Sequence, residues 1–152
     1  MPTTRSPQDT TELDQWRALT VLSGRITQEV NRVIARHHEL TMHEVFVLSE
    51  LTTGNPKGLR IQDLADATGV DQSSMSRTVK RLESRGLTQK VTCDFDKRGV
   101  YCQLTADGSA LAEQAAKTCR EALKDALDTA SFDTRTAAVV ARLRFELPNS
   151  PA

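Results

Sequence analysis

A chain of 152 residues is long enough for one buried core and short for two independent domains. Its 38% hydrophobic and 26% charged residues exclude a disordered polyelectrolyte, and a formal net charge of zero excludes a uniformly basic coat for nucleic acid. No apolar run approaches the roughly 20 residues that span a bilayer, and three cysteines without a Cys-x-x-Cys pair make neither a disulfide framework nor a zinc ribbon.

The start, Met1 to Thr11, is polar and lacks the apolar core of a signal peptide, so the chain is expected in the cytoplasm with reduced thiols. A long first helix is predicted next, with Leu13, Trp16, Thr20, Ser23, Ile26, Val30, Val33, Ile34 and His37 close to one stripe. Thr41-Met42-His43-Glu44 has the Thr-x-x-Glu form of a capping box and opens a second helix carrying Val45, Phe46, Leu48 and Leu51. The breaker cluster Gly54-Asn55-Pro56-Lys57-Gly58 ends it, and a loop leads to Ile61.

From Ile61 to Thr105 the pattern is helix, tight turn, helix, β-hairpin. Ile61, Leu64 and Ala65 give the first of these helices an apolar face, and Gly69 supplies positive φ where it ends. Val70 fills the turn, and Asp71 is placed to cap a helix beginning near Gln72, with Met75, Val79 and Leu82 at helical spacing. The opposite face of that helix holds Gln72, Ser73, Ser76, Arg77, Lys80 and Arg81. A face made only of hydrogen-bonding and cationic groups suits a major groove, which offers acceptor-rich base edges between two rows of phosphates. In the hairpin, Val91, Cys93 and Phe95 alternate on one strand and Val100, Cys102 and Leu104 on the next. With Asp96 to Gly99 as the loop, Val91 faces Leu104, Cys93 faces Cys102 and Phe95 faces Val100, which puts all six on one face. The loop then leaves Asp96, Lys97 and Arg98 at a polar tip, where an arginine can enter a narrow minor groove.

After the hairpin, Thr105 can cap a helix through Leu111, Ala115, Ala122, Leu123 and Leu127, and Ser131 or Asp133 can cap another with Ala137, Val140, Leu143 and Leu147. From Gln72 to Val100 seven Lys and Arg stand against three Asp and Glu, a net +4 that leaves −4 for the remainder. A basic reading head on an acidic body would orient the protein on double-stranded DNA while limiting adhesion elsewhere.

Val70-Asp71-Gln72-Ser73-Ser74-Met75-Ser76-Arg77, then Leu82-Glu83-Ser84-Arg85-Gly86-Leu87 and Asp96-Lys97-Arg98, resemble the MarR (multiple antibiotic resistance regulator) family. The resemblance implies a mainly α fold with a small β-hairpin wing: a winged helix-turn-helix with N- and C-terminal dimerisation helices. It divides a single domain, 1–152, into a DNA-binding lobe over 41–105 and dimerisation helices over 11–38 and 106–147. It implies that the second helix enters the major groove and the wing arginine the minor groove, and that a homodimer reads an inverted-repeat operator. It further implies repression, a small-molecule effector, and an effector pocket near the first helix, for which Trp16 and Phe46 are the candidates.

Other signals are weaker. His37, His38, His43 and Glu44 have the side-chain chemistry of a zinc set, but adjacent helical histidines diverge and no second ligand pair lies nearby, so solvated or capping roles are expected and no metal or other cofactor. Cys93 opposite Cys102 would permit a disulfide across the wing, although inward cysteines usually act as small apolar side chains. No nucleophile with a base, Gly-rich phosphate loop or acidic metal cluster points to an enzyme. A winged-helix module that binds protein is the alternative to a DNA-binding regulator.

Overall fold

The computed structural model describes residues 11–93 and 96–145, without the side chains of 93–98. The chain forms two compact units. One is Asn31–Glu121, and the other joins the described parts of Met1–Val30 and Ala122–Ala152. The boundary falls inside the two long helices, α1 (Glu12–His38) and α5 (Ala106–Ser131).

In the unit Asn31–Glu121, α1 ends at His38 and Glu39 turns the chain with φ 55°. Thr41 then caps α2 (Met42–Thr53) reciprocally: its hydroxyl accepts the Glu44 N–H at 3.2 Å, and the Glu44 carboxylate accepts the Thr41 N–H at 2.8 Å. β1 (Leu59–Arg60) leads directly into α3 (Ile61–Thr68), which ends at Gly69 in the left-handed region, φ 69° and ψ 23°. α4 (Gln72–Ser84), β2 (Thr88–Cys93) and β3 (Asp96–Leu104) follow. α3 packs on α2 and α4, while α2 and α4 rest on the sheet, and Leu48, Leu64, Met75, Val79 and Leu82 form the dry centre.

The sheet is three-stranded and antiparallel, in the order β1-β3-β2. Two hairpin expectations are corrected. Asp96–Gly99 are not the loop: they lie in β3, with Cys93 opposite Asp96, and Phe95 lies outside the described residues. The pairing also differs, since Cys102 is opposite Lys90, Leu104 opposite Thr88, Val91 opposite Tyr101, and Val100 opposite Thr92. An irregularity between Thr92 and Cys93 separates the tip from the regular ladder. The observed register is three residues from the expected one, and an odd shift exchanges faces, so Val91 lies opposite to the face of Cys102. Matching apolar residues across two strands ignored the third. β1 pairs with β3 through Leu59 and Arg60, and Arg60 draws Tyr101 outward by donating to its hydroxyl at 3.2 Å and stacking over its ring. Gln89 and Gln103 hydrogen-bond to each other on that outer face, and Gln103 donates on to the Pro56 carbonyl. Cys102 and Thr88 remain inside.

In the other unit, Leu22, Ile26 and Val30 are the buried line of α1, with Ala122 and Ala126 buried on α5. The stripe expected on α1 is buried at Ile26, Val30 and Ile34, while Leu13 and Trp16 at its start are 66% and 67% exposed in the single chain, since spacing cannot tell which surface covers a stripe. The Asp133 carbonyl accepts the Thr136 and Ala137 N–H groups at the entry to α6 (Ala137–Phe145). Its carboxylate binds Arg25 and Arg135. Val140 is buried, whereas Phe132, Leu143 and Phe145 are exposed, and Leu147 lies outside the described residues. No helix among the described residues is long and apolar enough to cross a membrane.

α5 starts against the sheet at very close range. Thr105 caps it by accepting the Gly108 N–H at 3.0 Å, and a Cβ on Gly108 would stand 1.9 Å from the Leu87 carbonyl oxygen. Gly108→Val is expected to lower stability by about 1 to 3 kcal/mol through forced separation of backbone from backbone. A urea melt of the variant with an unchanged midpoint would contradict this contact.

Candidate nucleic-acid interface

α4 is amphipathic, and the tertiary structure uses both faces. Met75, Val79 and Leu82 are at most 2% exposed, while Gln72, Ser73, Ser76, Arg77 and Lys80 are all exposed on the opposite side. Full burial of three such side chains contributes about 1.5 to 3 kcal/mol each. That exceeds any surface ion pair and fixes which way the polar residues point.

The N-terminus of α4 is organised by Asp71. Its carboxylate accepts the Ser74 N–H at 2.9 Å and the Ser74 hydroxyl at 2.6 Å, and Ser74 Oγ in turn accepts from Arg77 at 3.1 Å. The Ser74 hydroxyl, then the Ser74 amide, hold the Asp71 pKa below the ordinary carboxylate value, with the Arg77 charge adding to the effect. Ser74 is half-buried, so its hydroxyl steadies Arg77, whereas Gln72, Ser73 and Ser76 present theirs outward.

The C-terminal end is held differently. Arg81 Nε donates to Glu44 Oε1 at 2.9 Å, and Glu44 is 4% exposed. Arg85, the C-cap residue, donates from Nη1 to the Glu39 carbonyl at 2.7 Å and from Nη2 to the His38 carbonyl at 3.1 Å. From spacing, Glu44 is expected only to cap α2, and Arg85 enters only as a charge. Nothing in spacing links position 85 to carbonyls 46 and 47 residues away. In the wing, Asp96, Lys97 and Arg98 follow the tip on β3, and their side chains lie outside the described residues.

The remaining candidates separate. His38 Nε2 shares a 2.8 Å hydrogen bond with Thr118 Oγ1, and burial, then the His37 charge, lower its pKa. The His43 ring lies tilted beside that of Phe46, and the Glu44 carboxylate is engaged by Thr41 and Arg81. These residues are not brought together as a ligand set, and no metal-binding group occurs among the described residues. Cys102 is a free, buried thiol whose pKa burial raises, and the ladder sets it opposite Lys90 rather than Cys93, which removes the geometry for a wing disulfide. Trp16 belongs to the terminal-helix unit and Phe46, 40% exposed, to the other.

Residues 38–99 match the MarR family model. Among solved structures, the chain is similar to AbsC, a MarR family transcriptional regulator from Streptomyces coelicolor, with a TM-score of 0.68 at 24% identity over 94% of this chain and 100% of that one. It is similar to Sco3205, a MarR family transcriptional regulator from the same organism in complex with DNA, at 0.71 and 22% over 93% and 90%. It is also similar to a mutant MarR from E. coli complexed with operator DNA, at 0.69 and 19% over 95% and 100%. At these identities the likeness is one of fold: a mainly helical winged helix-turn-helix.

Removing the Arg81 side chain leaves the buried Glu44 carboxylate without its cation. Arg81→Ala is expected to cost about 1 to 3 kcal/mol in DNA-free protein, less than a fully buried pair because the guanidinium is half-exposed. Arg77→Ala and Lys80→Ala should stay within about 0.5 kcal/mol of the parent in the same urea melts. Asp71, with its pKa lowered on folding from the ordinary value of 3.8, stabilises the folded state above that value, and this contribution fades as pH falls through the folded value. Asp71→Asn should accordingly flatten the acid limb of the stability curve below about pH 4. An acid limb identical to the parent's would show that the cap is not charged.

Proposed function

We propose that the chain is a DNA-binding transcriptional regulator and no enzyme, acting as a homodimer on an inverted-repeat duplex, a reading supported by the match of residues 38–99 to the MarR family model. The observation that carries the reading is the outward face of α4, where Gln72, Ser73, Ser76, Arg77 and Lys80 stand exposed on a helix locked from behind by Met75, Val79 and Leu82. Arg77 is suited to guanine O6 and N7 in the major groove, Lys80 to phosphate, and Arg98 on the wing to the minor groove. The DNA complexes of Sco3205 and of E. coli MarR support the same use of the fold.

The homodimer is supported by large apolar groups left uncovered on and between the terminal helices, among them Leu13, Trp16, Phe132 and Phe145. Twofold pairing would set two copies of α4 into successive major grooves about 34 to 36 Å apart. Occupying an operator would repress, and a small molecule favouring another spacing of the two copies would release it. Trp16 in one unit and Phe46 in the other are each proposed, separately, as contacts for that effector, and the site of action is cytoplasmic DNA.

Footprinting on the region upstream of the protein's own gene, with sedimentation of the free protein, tests the reading. Protection of two half-sites spaced by about one helical turn and a dimeric free species are expected. Arg77→Ala should lose about 1 to 3 kcal/mol on that site and little on random duplex, while Lys80→Ala should weaken both and lower the salt slope by about one. Binding without salt dependence, or an α4 double variant of Arg77 and Lys80 that binds normally, would shift the assignment to a winged-helix module for protein partners.

A further inference from the structure

We infer that Arg81 and Arg85 are positioning residues, which hold the last turn of α4 at the angle from which its exposed face meets DNA and do not themselves touch the duplex. The inference rests on the DNA-binding reading above and deepens it. Arg85 spans two successive carbonyls, Glu39 at 2.7 Å and His38 at 3.1 Å. These lie where α1 ends, so its fork caps carbonyls that have no helical partner and sits at the negative end of the helix dipole. The capped corner is itself strained, because Glu39 is a non-glycine residue at φ 55°.

One turn earlier, Arg81 reaches the other side of the same corner. Its partner oxygen belongs to Glu44, whose second oxygen accepts the Thr41 N–H at the start of α2. The two arginines, at i and i+4, thus attach one turn of α4 to the end of α1 and the beginning of α2. The corner is also joined to α5 through His38 and Thr118. Turning Arg81 toward a phosphate would strand a buried carboxylate, and turning Arg85 would uncap α1. Two of the seven cations between Gln72 and Val100 are therefore engaged by the α1–α2 corner although their side chains are exposed, and contact with phosphate falls to the others.

The test compares full-length parent, Arg85→Ala, Arg85→Lys and Lys80→Ala. Each is titrated at several salt concentrations on the duplex upstream of the protein's own gene, and hydrogen exchange is followed without DNA. Lysine keeps the charge but cannot bridge two carbonyls, so both Arg85 variants should bind about five- to tenfold more weakly. The slope of log K against log salt should stay at the parent value, whereas Lys80→Ala should reduce it by about one. Amides around residues 81–87 should exchange faster in both Arg85 variants while those of Ser74–Val79 stay protected, which also shows that the variants fold. A slope lowered by Arg85→Ala and restored by Arg85→Lys would make Arg85 a phosphate contact and overturn the inference. Unchanged exchange around 81–87 would overturn it even if the parent bound no DNA, an outcome that would instead defeat the DNA-binding reading.

Discussion

The structure around the candidate interface depends on the burial of Met75, Val79 and Leu82 beneath α4. A helix of thirteen residues cannot hold a fixed orientation by its own backbone bonds, since isolated helices of that length are marginal in water. Withdrawal of one face from water supplies the orientation, and the polar face points outward as a consequence. Thr88 and Cys102 on the inner side of the sheet complete the surface on which this seating is built.

Burial fixes which face is outward but leaves the helix free to rock at its ends, and the polar contacts differ there. At the start, Asp71 and Ser74 satisfy N–H groups that a helix always leaves open, and they align Arg77 as they do so. At the end, Arg81 and Arg85 reach away from their own helix to the α1–α2 corner. A local cap can tune one side chain; long-range arginines set the pose of the whole helix.

The wing shows how a third strand changes a hairpin. Tyr101 could lie on either face by propensity, and Arg60 on β1 decides the matter by stacking over its ring and donating to its hydroxyl. With Tyr101 outward, Cys102 is inward and the pairing of β2 follows. The side chain that would have bridged to Cys93 is instead a buried thiol facing Thr88 and the helices, where burial keeps it protonated.

What the sequence by itself determined was local. The Thr41–Glu44 capping box, the left-handed Gly69, the Asp71 cap, the Thr105 cap and the stripe of Met75, Val79 and Leu82 all lie within one or two turns of the residues that encode them, so spacing and side-chain chemistry suffice. The outward set of Gln72, Ser73, Ser76, Arg77 and Lys80 was legible for the same reason. The tertiary structure alone decided the wing register, the exposure of Leu13 and Trp16, and the partners of Arg81 and Arg85. Each of these depends on a surface or carbonyl distant in the chain, and a periodic pattern records that a face is apolar or a group is charged without recording what meets it.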